Sequence, residues 1–143
     1  MSPIAAMAAP ENMPPIIVAE EEFDALSDIA ESLAGVLPEV AHFLERELAR
    51  ARLLPMNHVP PNVVTMNATV EFTFGMKGRS ERLRLVYPAE SPSENGSVSI
   101  ASPVGVALLG LGEGQSISWS SRYGELRWLK VTRVVRPAAG KPA

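Results

Sequence analysis

The sequence contains no cysteine. Disulfide bonds and thiolate-bound zinc or iron–sulfur centres are therefore excluded, and nothing points to an oxidising compartment. The two histidines, His42 and His58, are far apart in sequence and show no HExxH spacing, so we expect no metal site and no cofactor. The interior of this protein must be held together by packing alone.

Positive charge is also in short supply. The chain has 13 Lys and Arg residues against 16 Asp and Glu residues, a net charge of -3 with a pI near 5.4. A protein whose main affinity is for nucleic-acid phosphates needs a clustered surplus of Lys and Arg. We therefore expect the main partner to be another protein.

Long apolar runs are missing as well. No stretch reaches the roughly 18 apolar residues of a membrane span. The first residues, MSPIAAMAAPENMPPIIV, lack the basic start and the uninterrupted apolar core of a signal peptide. The sequence therefore predicts no membrane partner and a cytoplasmic location.

Helical spacing dominates the first third of the chain. An apolar stripe from Phe23 to Leu33 follows three glutamates, whose carboxylates suit the positive end of a helix dipole. Gly35 supplies a stop, and Pro38 suits the first turn of a second helix, whose apolar stripe ends at Ala51. The pattern predicts two antiparallel helices, each roughly 22 Å long, joined by a tight turn.

Apolar residues alternate with polar ones in the second half of the chain, which is typical of strands with one buried face. In the closing run, Leu126 and Trp128 fall on one parity, whereas Leu129 and Val131 fall on the other. This switch predicts either a strand covered on both faces or a β-bulge. Five runs show the strand pattern: TVEFTF, SERLRLVYP, SVSI, QSISWS and ELRWLKVTRVV.

The glycine-rich stretch ASPVGVALLGLGEGQS invites comparison with phosphate-binding loops. It fails the Walker A pattern, because Leu111 and Gly112 stand where Lys and Ser or Thr are required. Ser102 suits a helix N-cap, Pro103 suits the first helical position, and Gly110 suits the left-handed residue after the helix. The stretch therefore predicts a short capped helix buried against the concave face of the sheet. Helices in the first part of the chain and strands in the second together predict an α+β fold.

Several of these segments resemble a known family. VVTMNATVEF, RLRLVYPAE and SVSIASPVGVALLGLGEGQSISW are similar to the C-terminal domain of the Gre transcript-cleavage factors. They resemble still more closely the small relatives known as regulators of nucleoside diphosphate kinase. The resemblance covers residues 60–136, and the preceding helices fit it too. It implies a short antiparallel helical hairpin, or coiled coil, followed by an FKBP-like bent antiparallel β-sheet packed on one short helix.

The resemblance and the composition together predict the organisation of the chain. Its parts are a flexible lead-in at residues 1–16, a helical hairpin at 17–54, a linker at 55–62, a globular domain at 63–136 and a flexible tail at 137–143.

The family resemblance also implies a function. Gre factors bind RNA polymerase with the globular domain on the rim of the secondary channel, and two acidic residues at the hairpin tip place Mg²⁺ for RNA cleavage. Here the tip ESLAGVLPE is mostly apolar, with Glu31 and Glu39 flanking the turn. We therefore expect a non-enzymatic transcription regulator, without catalytic residues, that binds RNA polymerase near this channel. Its expected contact residues are Asp28, Glu31 and Glu39 on the hairpin and Ser102 and Pro103 on the globular domain.

Other functions stay open at this point. One is enzymatic: a transcript-cleavage factor that uses Glu31 and Glu39, or a prolyl isomerase that uses the pocket of the globular domain. Another is direct binding to nucleoside diphosphate kinase, although the family name can equally record an indirect effect on expression. Any association with DNA is expected to be indirect, through the polymerase.

Overall fold

The computed structural model describes residues 13–75, 78–88, 96–121 and 123–137. Most of the predicted lead-in and of the predicted tail lies outside these ranges. The helices are α1 (Glu20–Leu33), α2 (Pro38–Arg50) and α3 (Pro103–Leu108), and a 3-10 turn spans Met56–His58. The strands are β1 (Ile17–Ala19), β2 (Arg52–Leu54), β3 (Thr69–Phe74), β4 (Arg79–Val86), β5 (Ser97–Ser99), β6 (Ser116–Ser120) and β7 (Leu126–Val135).

Helices α1 and α2 form the predicted hairpin. Pro38 lies in the first turn of α2, and the Leu37 amide donates to the Leu33 carbonyl at 2.7 Å, which closes the connection tightly. Leu26 and Leu44 are fully buried along the inner stripes of the two helices. With 14 and 13 residues, the arms are about 20 Å long. None of the helices in the described ranges is long and apolar enough to cross a membrane.

The base of the hairpin is closed by a small parallel sheet. Strands β1 and β2 pair in parallel, with Val18 opposite Leu53. The helical pattern that we expected to begin near Ile17 and to end near Leu54 is therefore too long at both ends. Pairing between distant residues overrides helical spacing there, because the two strands satisfy each other's backbone groups.

The second part of the chain folds as a curled five-stranded sheet in the order β5-β4-β3-β7-β6. The predicted strands are confirmed, and four of them pair in antiparallel fashion as expected. Strand β5 is different, because it runs parallel to β4. A parallel neighbour requires a crossover connection, and residues 87–96 lie between these two strands. The sheet is therefore mixed rather than purely antiparallel.

A β-bulge interrupts the pairing of β3 with β7. Glu71 pairs with Arg133 and Phe72 with Val131, so Thr132 is the extra residue, and its hydroxyl donates to the Glu71 carbonyl at 2.9 Å. The bulge changes the parity of the buried positions of β7: Leu129 and Val131 are buried before it, and Val134 is buried after it. A bulge was one of the two alternatives predicted for this strand, but it lies at Thr132, after the parity switch between Trp128 and Leu129, and so does not explain that switch.

Helix α3 has the caps that its sequence predicts. The Ser102 hydroxyl accepts from the Gly105 amide at 3.1 Å and donates to the Ser99 carbonyl at 2.6 Å. Gly110 follows the helix with a φ of 82°. A methyl group on Gly105 would overlap the Ser99 carbonyl, so α3 lies directly against the backbone that precedes it.

The hairpin and the sheet share one hydrophobic core. Helix α2 packs against α3. The same cluster of buried residues contains Leu26 and Leu44 from the hairpin, Leu108 from α3, and Ile117 and Leu129 from the sheet. The hairpin therefore lies against the globular part, and this places its turn near the start of α3.

Candidate partner-binding site

A cleft of about 970 Å³ opens where the start of α2, the start of α3 and the end of β6 meet. Both parts of the chain contribute to its walls, because α2 packs on α3. Its lining from the hairpin includes Leu37, Pro38, Glu39, His42, Phe43 and Arg46, and from the globular part Ser102, Pro103, Val104, Trp119, Tyr123 and Arg127. A mostly apolar surface with a few charged groups at its margin is typical of a protein-binding site.

Two aromatic rings form the inner wall of the cleft. Phe43 and Trp119 are almost fully buried, and their ring centroids are 5.8 Å apart with planes tilted by 35°. The Arg46 guanidinium lies 5.3 Å from the centroid of the Phe43 ring, within the range of a cation–π contact. These contacts fix the position of α2 on the sheet and so give the cleft a defined shape.

The structure brings together three of the five predicted contact residues. Glu39, in the first turn of α2, and the pair Ser102 and Pro103, at the start of α3, line the same cleft. The Ser102 hydroxyl already makes both of its hydrogen bonds within the cap. Pro103 is exposed. At this corner, Pro103 is therefore better placed than Ser102 to contact a partner.

The other two predicted residues lie elsewhere. Asp28 and Glu31 line a smaller groove of about 390 Å³ between α1 and α2, together with Phe23 and Glu45. Glu31 and Glu39 therefore face different grooves on the hairpin. In the described part of the chain, no three His, Asp or Glu side chains cluster in a way that could hold a metal ion.

The turn of the hairpin exposes apolar surface. Residues 34–37 are Ala, Gly, Val and Leu. Val36 is 72% exposed and Leu37 is 41% exposed, while Tyr123, on the other wall of the cleft, is 82% exposed. Large exposed apolar side chains that lie near one another are typical of a surface that a partner covers.

Sequence reasoning missed two acidic residues that anchor the hairpin. The helix dipole alone accounted for the acidic start of α1, but a Glu21 carboxylate oxygen accepts from the Met56 amide at 2.8 Å, and Glu22 accepts from the Met66 amide at 3.3 Å. Burial raises the pKa of Glu22 above its ordinary value of 4.5. These bonds connect α1 to the segment between the hairpin and the sheet.

The aromatic and basic residues of the cleft were missed as a group. Neither Trp119 nor Tyr123 was among the predicted contact residues. An aromatic side chain in a polar turn, as in the run SRYGE, was the signal that could have indicated a binding surface. The contact of Phe43 with Trp119 joins distant parts of the chain, so no local pattern indicated it.

Comparison with known proteins agrees with this architecture. Residues 59–135 match the family described as the C-terminal part of the transcription elongation factors GreA/GreB, and residues 14–54 match the family described as the Rnk N-terminus. A solved prokaryotic transcription elongation factor GreA/GreB from Nitrosomonas europaea superposes with a TM-score of 0.67 at 35% identity, covering 86% of this chain and 99% of that one. The fold expected from the resemblance is thereby confirmed.

Full-length relatives show the same relationship. The regulator of nucleoside diphosphate kinase of Escherichia coli K12 is 36% identical over 118 residues, which are 82% of this chain and 87% of that protein. A transcription elongation factor GreA of Nitratidesulfovibrio vulgaris is 29% identical over 101 residues, 71% of this chain but 63% of that protein. The chain therefore belongs to the family of regulators of nucleoside diphosphate kinase, Gre-like proteins whose C-terminal domain is shared with the Gre transcription elongation factors.

Proposed function

We propose that the protein is a non-enzymatic transcription regulator that binds RNA polymerase near its secondary channel. One observation carries the proposal: the hairpin turn and the Ser102–Pro103 corner lie together on the walls of one cleft. In the Gre factors that the chain resembles, the corresponding two parts meet the secondary channel and its rim. A single docking event can therefore engage both.

The names of the relatives support a role in transcription. Proteins at 29% and 35% identity are transcription elongation factors, and the second of these superposes over most of this chain. The exposed Val36 and Leu37 give the hairpin turn an apolar surface that a protein partner can cover. The acidic Glu39 beside them gives that surface a defined charge.

The geometry of the hairpin supports a regulator rather than a cleavage factor. Mg²⁺ requires carboxylate oxygens that converge on one octahedral site. Glu31 and Glu39 line different grooves, and the turn between them consists of Ala, Gly, Val and Leu. We expect no Mg²⁺-dependent cleavage of RNA in stalled polymerase complexes. Cleavage that disappears in Glu31→Ala and Glu39→Ala variants would overturn this part of the proposal.

Binding to purified RNA polymerase is the direct test. We expect the full chain to bind the immobilised enzyme and a Gre factor to compete with it. Glu39→Arg reverses a charge inside the cleft and should weaken binding about tenfold, a loss of about 1.4 kcal/mol. Asp24→Arg, at an exposed position on α1 outside both grooves, is the matched control and should bind like the wild type. A wild-type chain that shows no binding, with or without the competitor, contradicts the proposal.

A second candidate function is direct binding to nucleoside diphosphate kinase. The observation in its favour is the name of the relative that is 36% identical over 82% of this chain. Titration of the purified kinase with the full chain separates the two candidates. Binding to the kinase without binding to the polymerase would replace the transcriptional proposal.

A further inference from the structure

The net charge of the whole chain is the sum of two parts with opposite net charge. Residues 1–58 contain ten acidic and three basic residues, a net charge of -7, whereas residues 59–143 contain six acidic and ten basic residues, a net charge of +4. The acidic excess therefore disfavours nucleic-acid binding by the hairpin but not by the sheet. Whether the basic residues form a surface depends on where the fold places them.

Four of these basic residues share one face of the sheet. Leu85 and Val131 point into the core, so their neighbours Arg84 and Lys130 point the opposite way, to the face turned away from α3. We call this the outer face and define it by Arg82, Arg84, Trp128, Lys130 and Arg133. Arg82 and Arg84 lie on β4, and the other three lie on β7.

The strand register places the charges in two columns. Strand β3 lies between β4 and β7, and Glu71 on β3 pairs with Arg82 on one side and with Arg133 on the other. The adjacent positions of β3 are Thr69, opposite Arg84, and Thr73, opposite Lys130. Two basic columns therefore border a central column that contains two threonine hydroxyls.

The outer face is open to solvent and carries net positive charge. Arg84, Lys130 and Arg133 are exposed, and the Arg82 side chain is 70% exposed. Glu71 is the only carboxylate at an outward position of the described strands in this sheet, and it lies 3.8 Å from the Arg82 guanidinium. A pair this exposed is strongly screened by water and holds Arg82 only weakly, and the four cations with one carboxylate leave the outer face with a net charge of about +3.

An aromatic residue lies on the same face. Trp128 is two positions before Lys130 on β7 and pairs with Ser118 on β6. It is half-buried, unlike Trp119, which belongs to the core. An aromatic ring beside Arg and Lys residues on an open sheet is the arrangement by which proteins bind single strands, since bases stack on the ring while phosphates meet the cations.

We propose that the outer face binds single-stranded nucleic acid, with Arg82, Arg84, Lys130 and Arg133 neutralising phosphates and Trp128 stacking on a base. None of these five residues lines the cleft. The inference is therefore independent of polymerase binding, and its test needs no polymerase. The choice of a single strand over a duplex depends on Trp128, because a duplex offers no open base face to a ring on the surface of a sheet.

Fluorescence anisotropy with labelled oligouridylate and oligodeoxythymidylate tests binding and separates RNA from DNA. The slope of log K against log salt should be about -2 to -3 for four phosphate contacts with a single strand. A duplex of equal length should bind more weakly than either single strand. Base stacking should quench the fluorescence of Trp128. Polyglutamate carries negative charge but no bases, so it should not quench this fluorescence.

Variants identify the face. Arg82→Ser and Arg133→Ser should each reduce the salt slope by about 0.7, and Arg82→Lys should preserve it. Trp128→Leu should remove the quenching and leave the slope unchanged. Arg52→Ser, at an exposed position on β2 away from the sheet, is the matched control and should behave like the wild type. Circular dichroism melts establish that each variant is folded.

Three results would overturn the proposal. The first is no binding of either single strand at a low salt concentration of about 50 mM. The second is binding that is unchanged in Arg82→Ser, Arg133→Ser and Trp128→Leu. Displacement by polyglutamate as effective as displacement by RNA counts in the same way, since an acidic protein would then be the partner. The third is a salt-sensitive dimer that forms without nucleic acid and is lost in Arg82→Ser, because the acidic hairpin of a second copy would then occupy the face.

Discussion

Glu47 and Arg50, one turn apart on α2, form a bidentate ion pair inside the protein. The Arg50 Nη2 and Nε atoms donate to the Glu47 Oε1 and Oε2 atoms at 2.7 Å and 3.0 Å. The Glu47 side chain is fully buried, and that of Arg50 is 24% exposed. Arg50 also donates to the carbonyls of Met13 and Pro14, at 3.3 Å and 2.5 Å. The pair therefore ties the segment before β1 to the second helix of the hairpin.

Replacement of Glu47 by Ala should destabilise the protein strongly. The substitution leaves the Arg50 guanidinium largely buried without its carboxylate, and breaking a buried pair in this way costs about 3 kcal/mol or more. The free energy of unfolding, measured by urea titration, checks this value. Glu45→Ala is the matched control on the same helix, because Glu45 is exposed, and it should change stability by about 0.5 kcal/mol or less. Equal effects of the two substitutions would mean that the ion pair contributes little.

Glu22 should make stability depend on pH. Its burial raises its pKa above 4.5, although the Met66 amide and the charge of Arg136 oppose this change and Glu21 adds to it. The folded chain therefore retains a proton that the unfolded chain has already lost. The contribution of Glu22 is most favourable below pH 4.5 and declines as pH rises through the raised pKa.

The variant Glu22→Gln isolates this effect, since its amide oxygen can still accept from the Met66 amide. Relative to the wild type, the variant should gain stability as pH rises through that window and reach a plateau above it. Urea titrations over a series of pH values measure the difference. Glu20→Gln removes a carboxylate at an exposed position of the same turn and should not reproduce the trend. A constant difference at every pH would contradict the prediction.

Gly110 should tolerate no side chain. Its φ is 82°, and a Cβ atom there would lie 2.8 Å from the Ile16 Cβ and 3.0 Å from the Ile17 carbonyl oxygen. Gly114 has a similar φ of 89° but nothing within 4 Å of such an atom. Gly114→Ala should therefore cost only the left-handed backbone, about 1 kcal/mol. Gly110→Ala should cost about 1–3 kcal/mol more, because β1 must move away from α3.

Thermal or urea unfolding of the two glycine variants measures this difference directly. Since both positions require a left-handed backbone, the difference between the variants reports the steric contact alone. Equal losses of stability would show that β1 can shift at no cost.

The sequence predicts features that depend on neighbouring residues. Ser102, Pro103 and Gly110 indicated the caps and the bounds of α3 because each residue type suits one backbone geometry. The alternation of Val70 and Phe72 with polar residues indicated a strand for the same reason. These features follow from sterics and hydrogen bonds within a few residues, so a single sequence suffices to find them.

Features that join distant segments were not predictable in this way. The pairing of β1 with β2 and the parallel direction of β5 depend on which strands meet in the folded chain. Glu47 is buried next to Leu48, where helical spacing gives no reason to expect a carboxylate, because its partner Arg50 stabilises it there only after folding. The cleft depends on the docking of α2 against α3, so the sequence indicated Glu39 and Pro103 separately but not that they line one cleft.

The hairpin turn provides a direct test of how the chain engages its partner. Leu37 is 41% exposed at the turn and lines the cleft, whereas Leu53 is 39% exposed on β2 at the opposite end of the hairpin. Asp is a favourable residue immediately before a helix, so Leu37→Asp should not destabilise α2. It should weaken binding to RNA polymerase about tenfold or more, because an apolar contact is replaced by a charge that the interface must desolvate. Leu53→Asp introduces the same charge at similar exposure and should leave the affinity unchanged. If both variants bind like the wild type, Leu37 does not contact the polymerase, and the partner surface must use other residues of the cleft, such as Glu39 or Pro103.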